Sequence, residues 1–156
     1  MKKAIFLFFT GITISSGAFA GGWNYTKWGM TADQVTAASG NKATVVENTK
    51  SSCTLEQVIP GERLDLKVSF CFSGPTKTLS HVYVHPVENN DPNCSLVEDG
   101  LTGKYGAPVK QERNSVGNTL TFRDAANGTV LDYHLSTLSH ICEVLYRDSG
   151  GNNSSL

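Results

Sequence analysis

The stretch HVYVH (81–85) sets two imidazoles, His81 and His85, around Tyr83, and imidazole is both a common metal ligand and a carrier of protons near neutral pH. Four residues of extended strand span about 13 Å, so one ion does not join both rings. The three side chains instead share one strand face and read as a contact surface. DYH (132–134) places Asp132 and His134 two positions apart, an arrangement in which a carboxylate orients an imidazole for hydrolysis. No motif puts a serine or cysteine nucleophile beside them. SGNK (39–42) has the S-x-x-K spacing of penicillin-binding enzymes. There the serine opens a helix, whereas Ser39 closes one and Gly40 ends it. His140 has no partner visible in the sequence. Trp23, Tyr25 and Trp28 could form an aromatic platform for a sugar or peptide; aromatics just before a helix more often seal a core, a reading that is stronger for Trp28 than for Trp23, which stays a candidate contact residue.

Several chemistries are excluded at this level. There is no Walker loop, GxGxxG or CxxC, and the HxxxH spacing of His81 and His85 falls on a strand, where one ion does not reach both rings, so the sequence predicts neither cofactor nor metal. The formal charge is −1, with charges scattered rather than gathered in a basic stripe. Nucleic acid is therefore not an expected partner.

The ends bound the compartment. Lys2 and Lys3 precede the apolar run AIFLFFTGITI (4–14), and SSGAFA (15–20) closes with Ala18 and Ala20 at the positions a signal peptidase reads. Residues 1–20 are predicted to be a cleaved signal peptide. The apolar run falls short of the roughly 20 residues of a membrane span, and no transmembrane segment is expected after cleavage. Periplasm or medium is the expected location. Residues 21–147 then make one domain, with halves of about 22–87 and 88–147, and the polar DSGGNNSSL (148–156) a flexible tail.

Four cysteines, Cys53, Cys71, Cys94 and Cys142, form an even set that reads as two disulfides in an exported chain. Three connectivities exist. The preferred one joins Cys94, at a helix start, to Cys142 in the last strand, and Cys53 to Cys71 across the turn PGER. A four-residue turn sets Cys53 opposite Phe70 and leaves Cys71 on the other face. A longer loop or a bulge removes that mismatch.

These residues need elements to hold them. Thr31 is a capping residue with Gln34 three positions on, Met30 and Val35 form a hydrophobic staple, and Gly40 is a stop, which together predict a helix over 31–39. KATVVE (42–47), CTLEQVI (53–59), LDLKVSFCF (64–72) and TLSHVYVH (78–85) read as strands. Setting Phe72 against Thr78 brings Val68 to Val82 and Leu66 to Val84, and leaves Lys67, Ser69 and Asp65 on the face of His81, Tyr83 and His85. The pattern then recurs. Asp91 and Pro92 start a second helix whose face is Cys94, Val97, Leu101 and Tyr105, and Gly106 stops it. Strands follow at 108–113, 118–124, 129–135 and 140–147. The predicted fold class is α+β: two short helices packed on a mainly antiparallel sheet, built as two α-β4 halves.

KWGMTADQV (27–35) together with LTGKYGAP (101–108) resembles a pattern in small exported bacterial proteins of unknown function. In these, a Trp-Gly-Met start leads into a helix, and a later Leu-x-x-Lys-Tyr-Gly-x-Pro segment ends a second one. GMTADQV alone is also similar to a helix start in the SmpA/OmlA outer-membrane assembly lipoproteins and in the β-lactamase-inhibitor-protein fold. That resemblance implies short helices on an antiparallel sheet and a role in binding proteins. This chain lacks the lipidated cysteine of the assembly family, and no functional residue carries over.

The expectation is a non-catalytic protein-binding or accessory factor of the bacterial cell envelope, whose partner is another envelope protein. Its candidate binding surface is His81, Tyr83, His85, Lys67 and Trp23. The alternatives are a small periplasmic hydrolase using Asp132 and His134, which requires a serine within hydrogen-bond reach of His134, and a purely structural secreted domain.

Overall fold

A computed structural model describes residues 21–47 and 51–150. The predicted signal segment, 1–20, lies outside the described residues, as does 151–156 of the predicted tail. The corner around Trp28 shows how the sequence builds the frame. Gly29 adopts φ 86°, a left-handed conformation that glycine enters without a Cβ penalty. The turn it makes lets Gly29 N–H donate to the Leu79 carbonyl at 3.0 Å and Met30 accept from Leu79 N–H at 2.7 Å. Just before it, Trp28 is buried and its indole N–H donates to Thr129 Oγ1 at 3.3 Å. This corner therefore ties the chain to segments some fifty and some hundred residues further on.

Helix α1 (Ala32–Ala38) follows directly. Its capping box is complete: Thr31 Oγ1 accepts from Gln34 N–H at 3.4 Å, and Gln34 Oε1 accepts from Thr31 N–H at 2.9 Å. Strands β1 (Thr44–Val45), β2 (Cys53–Ile59), β3 (Leu66–Ser73) and β4 (Thr78–Pro86) come next. Helix α2 (Asp91–Tyr105) is capped by Asn90 rather than Asp91, with Asn90 Oδ1 accepting from Asn93 N–H at 3.0 Å. Gly106, at φ 79°, ends it. Then come β5 (Lys110–Arg113), β6 (Gly117–Asp124), β7 (Thr129–Ser136) and β8 (Cys142–Asp148).

The strands form a single eight-stranded sheet in the order β1-β2-β3-β4-β8-β7-β6-β5, and every neighbouring pair is antiparallel. Each four-strand meander ends at the centre, where β4 pairs with β8, so the first strand of each meander lies at an edge. Both edges are protected from pairing with another chain. β1 is two residues long, and β5 is the exposed, charged run KQER.

One face of the sheet carries the core: Leu55, Val68, Phe70, Val82, Val144, Tyr133 and Phe122 are all buried there. Burying this face is the main stabilising term, at about 25 cal/mol per Å² of apolar area. Val35 of α1, Cys94 and Leu101 of α2, and Trp28 join the same cluster, and Trp23, Tyr25 and Met30 pack against it half-buried.

The predicted fold class needs correction. The architecture is mainly β, and the helices do not make an α layer. α1 has seven residues and buries only Val35, while α2 buries only Cys94 and Leu101. Local capping signals are strong for both helices, but they specify where a helix begins and ends, not how much sheet it covers.

Strand register also differs from the predicted one. Ser73 pairs with Thr78 and Phe72 with Leu79; a bulge then consumes Ser80, so that Cys71 meets His81, Phe70 meets Val82 and Val68 meets Val84. The slip is an even number of residues at Val68, so apolar side chains still face apolar ones. On the other side of β3, Ile59 pairs with Leu66 and Leu55 with Phe70; a bulge at Thr54 then sets Cys53 opposite Cys71. Disulfides join Cys53 to Cys71 and Cys94 to Cys142, and two such bonds are compatible with an oxidising location outside the cytoplasm. Among the described residues no helix is long and apolar enough to cross a membrane.

Candidate functional site

Strand alternation leaves the second face of the sheet to polar side chains. Its central row runs Glu56, Ser69, Tyr83, Leu145, Asp132 and Thr121 across β2, β3, β4, β8, β7 and β6. Two carboxylates on this row are already paired. Glu56 holds Lys67 Nζ at 2.8 Å and accepts from Ser69 Oγ at 3.2 Å. Asp132 accepts from Thr121 Oγ1 at 2.8 Å, and from Arg147 through Nε and a terminal guanidinium nitrogen, both at 3.0 Å. Between them stands Tyr83, its ring edge-on to His81 with centroids 5.4 Å apart. Burial, and secondarily the nearby Glu143 carboxylate, raises the Tyr83 phenol above its ordinary value.

Of the residues predicted as a binding surface, His81, Tyr83, His85 and Lys67 share this face, with Lys67 opposite His85 in the ladder. Trp23 does not join them. It packs on the core side, edge-on to Phe70 and Tyr146 with centroids 5.8 and 6.3 Å away. It also lines a cavity of about 520 Å³ with Gly22, Tyr105, Asp124 and Thr129. Beside it Tyr25 donates to Gln57 Oε1, and burial pushes the Tyr25 phenol up to about 12.

The His81 ring is fixed from its own strand. Ser80 Oγ lies 2.8 Å from His81 Nδ1 and donates to the Cys71 carbonyl at 3.1 Å. Burial lowers the His81 pKa below 6.5, which favours the neutral ring. The geometry also brings together a group that no sequence spacing reveals. Among the described residues, Cys53, Cys71 and His81 form the one set of three potential ligand side chains whose ligand atoms all lie within 4.8 Å of one another. They come from three adjacent strands, and the two bulges align them.

His85 and His134 meet Glu143 in a second pocket of about 390 Å³ on the same face. His85 Nδ1 lies 2.8 Å from the Pro86 carbonyl, and His134 Nδ1 lies 3.0 Å from Thr119 Oγ1. The hydrolase arrangement is not assembled. The Asp132 oxygens hydrogen-bond Thr121 and Arg147 rather than His134. Ser136, the serine lining the pocket, accepts from Ser139. Ser39 is structural as well: its hydroxyl donates to the Thr36 carbonyl and accepts from Lys42 and Ala43 N–H, which turns the chain out of α1. His140, partnerless in the sequence, pairs with Asp91 at 2.9 Å and so links the β7–β8 turn to the start of α2.

The site is therefore one open, polar face of a mainly-β sheet, with Glu56 paired to Lys67 and Asp132 to Arg147. No protein-family model matches this chain, and no curated protein does; the motif likeness to exported proteins and assembly lipoproteins gains nothing from these comparisons. A solved structure is similar: a DUF4309 family protein (YjgB) from Bacillus subtilis subsp. subtilis str. 168, at 12% sequence identity and a TM-score of 0.47, over 76% of this chain and 78% of that one.

Proposed function

We propose that this protein is an exported, non-catalytic binding module of the bacterial cell envelope, which presents the open sheet face around Tyr83 to another envelope protein. One observation carries the reading: on a sheet of eight strands, one face buries the core while the helices and the aromatic segment gather on that same side. The other face keeps a half-buried tyrosine between two internally paired carboxylates. Tyrosine is an apt anchor for a protein interface, since it contributes large apolar contact with one polar tip and little rotamer entropy. The Lys67–Glu56 and Arg147–Asp132 pairs suit a polar rim, where charges set register more than affinity.

The partner chemistry that fits is a polar protein surface carrying an apolar or aromatic pocket for Tyr83. Hydrolysis is the weaker reading, because Asp132 and His134 lack both a mutual hydrogen bond and a nucleophile.

The test uses the oxidised full chain as bait in an envelope extract, beside Tyr83→Ala, His85→Ala and Lys67→Ala. A specific partner is expected to be lost from Tyr83→Ala and weakened with the other two. If every captured protein binds all three variants as it binds the parent, the reading fails.

A further inference from the structure

The Cys53–Cys71 bond joins β2, bulged at Thr54, to β3, and His81 stands on β4, the next strand across, which is bulged at Ser80. We propose that reduction of this disulfide opens a zinc site formed by the Cys53 and Cys71 thiolates and His81, with the fourth position left to water. This goes beyond the partner reading and does not depend on it.

The ligand set is right for the ion. Two thiolates and an imidazole are the donors Zn²⁺ favours, and three protein ligands with one open position is the arrangement of a reactive rather than a closed structural site. The positions are close to right as well. With Zn–S near 2.3 Å and Zn–N near 2.05 Å, tetrahedral angles require sulfurs about 3.8 Å apart and each sulfur about 3.6 Å from the nitrogen. The three ligand atoms already lie within 4.8 Å of one another. Once the S–S bond is broken, small side-chain rotations at the two cysteines suffice.

Two further features support the site. The ladder is already interrupted at both cysteines, between Cys53 and Leu55 and between Cys71 and Phe72, so local adjustment there breaks no regular pairing. Ser80 also links the His81 ring to the Cys71 carbonyl, the kind of outer-shell bond that orients a metal-binding imidazole.

The chemistry balances with a dithiol as reductant. Its thiolate attacks the sulfur of Cys53, the half-exposed member of the pair; Cys71 is fully buried. The S–S bond breaks, Cys71 leaves as thiolate, and a mixed disulfide forms on Cys53. The second thiol of the dithiol then displaces Cys53. The protein gains two electrons and two protons, and the reductant becomes a disulfide. Zn²⁺ then replaces the two thiol protons, which pass to solvent.

The experiment reduces the full chain with a water-soluble phosphine, maps free thiols by alkylation, removes the reductant without air and titrates with Co²⁺ as the spectroscopic stand-in for Zn²⁺. Near-ultraviolet circular dichroism from Trp23 and Trp28 reports that the fold persists. The expected result is one Co²⁺ per reduced chain, with sulfur-to-cobalt charge-transfer and tetrahedral d–d bands, displaced by Zn²⁺. The oxidised chain is expected to bind none. His81→Ala should lose more than the roughly 10–100-fold that outer-shell changes cost, while His85→Ala binds as the parent does. The proposal is overturned by free thiols at 53 and 71 in a folded chain without cobalt bands. It is equally overturned if His81→Ala binds undiminished, or if the pair is reduced only with global unfolding.

Discussion

Removing the Cys94–Cys142 bond is expected to cost more stability than removing Cys53–Cys71, and the margin follows from where the bonds close the chain. The first links residues 48 apart and the second residues 18 apart. Restricting the unfolded chain by loops of those lengths is worth about 4 and about 3 kcal/mol at 25 °C. The folded state adds to the difference in the same direction. Cys94 and Cys142 are 1% and 3% exposed and both belong to the core cluster, whereas of the other pair only Cys71 is fully buried, so Cys→Ala at 94 and 142 leaves the larger void. Cys94 is one of only two buried residues in α2, and the helix interior carries Gly100 and Gly103, each costing about 1 kcal/mol relative to alanine. Without its covalent tie, α2 keeps Leu101, the half-buried Val97 and Tyr105, a hydrogen bond from Tyr133 to the Cys94 carbonyl, and the exposed His140–Asp91 pair at its start. The assay is urea unfolding of the two double Cys→Ala variants without reductant, with amide exchange of α2 followed in parallel. Unfolding free energy should fall by about 4 kcal/mol or more for the 94/142 variant, with a larger m-value as the unfolded chain expands, and α2 amides should exchange ahead of β3 and β4. A loss below about 1 kcal/mol, or a larger loss for the 53/71 variant, would refute the reasoning.

Other outcomes follow from single positions. Gly100→Ala and Gly103→Ala should each stabilise the fold by about 0.5–1 kcal/mol in thermal or urea unfolding, because a Cβ at either site meets nothing within 4 Å and the unfolded chain loses freedom. Gly22→Ala should destabilise by about 1–3 kcal/mol, the scale of local backbone strain, since its Cβ would come 1.9 Å from the Thr26 carbonyl oxygen; unchanged stability would contradict this packing. His81 should titrate by NMR with a midpoint below 6.5. Because the unfolded ring takes its proton first as pH falls, the stability due to this group is present above 6.5 and declines below it. Tyr25 should ionise near pH 12 in ultraviolet titration. The unfolded phenol ionises near 10, so stability falls as pH rises from 10 to 12; a Tyr25 midpoint near 10 would contradict its burial beside Gln57.

Local chemistry was legible where residue types act on their near neighbours. Thr31 and Gln34 specify a capping box that the structure contains, and Gly106 ends α2 at positive φ. The balance between helix and sheet was not legible in the same way. Helix periodicity in Cys94, Val97, Leu101 and Tyr105 is real, yet Val97 and Tyr105 reach only the margin of the core, and two short helices cannot layer eight strands. Trp23 shows a related limit. Its position near the predicted processing site says nothing about which face of the sheet the chain end crosses. That is decided by Gly21 and Gly22 turning under Thr129, whose Oγ1 donates to the Gly22 carbonyl at 3.3 Å.

The site itself depends on a quantity that residue type does not encode. His81, Cys71 and Cys53 converge only because Thr54 and Ser80 are each left unpaired in the ladder. Both are ordinary strand residues, and neither carries the glycine or proline that usually announces a break. One inserted residue turns every side chain beyond it to the opposite face. A counting argument that omits the Thr54 bulge therefore sends Cys53 and Cys71 to different sides, as the four-residue turn did. The hydrophobic pattern fixes which residues of a strand share a face, but only bulge parity fixes which residues of neighbouring strands share one. Convergence of polar groups across three strands is therefore the feature of this protein least recoverable from spacing, while the Cys53–Cys71 disulfide, set beside the Thr54 bulge, holds the parity of β2 against β3 in place.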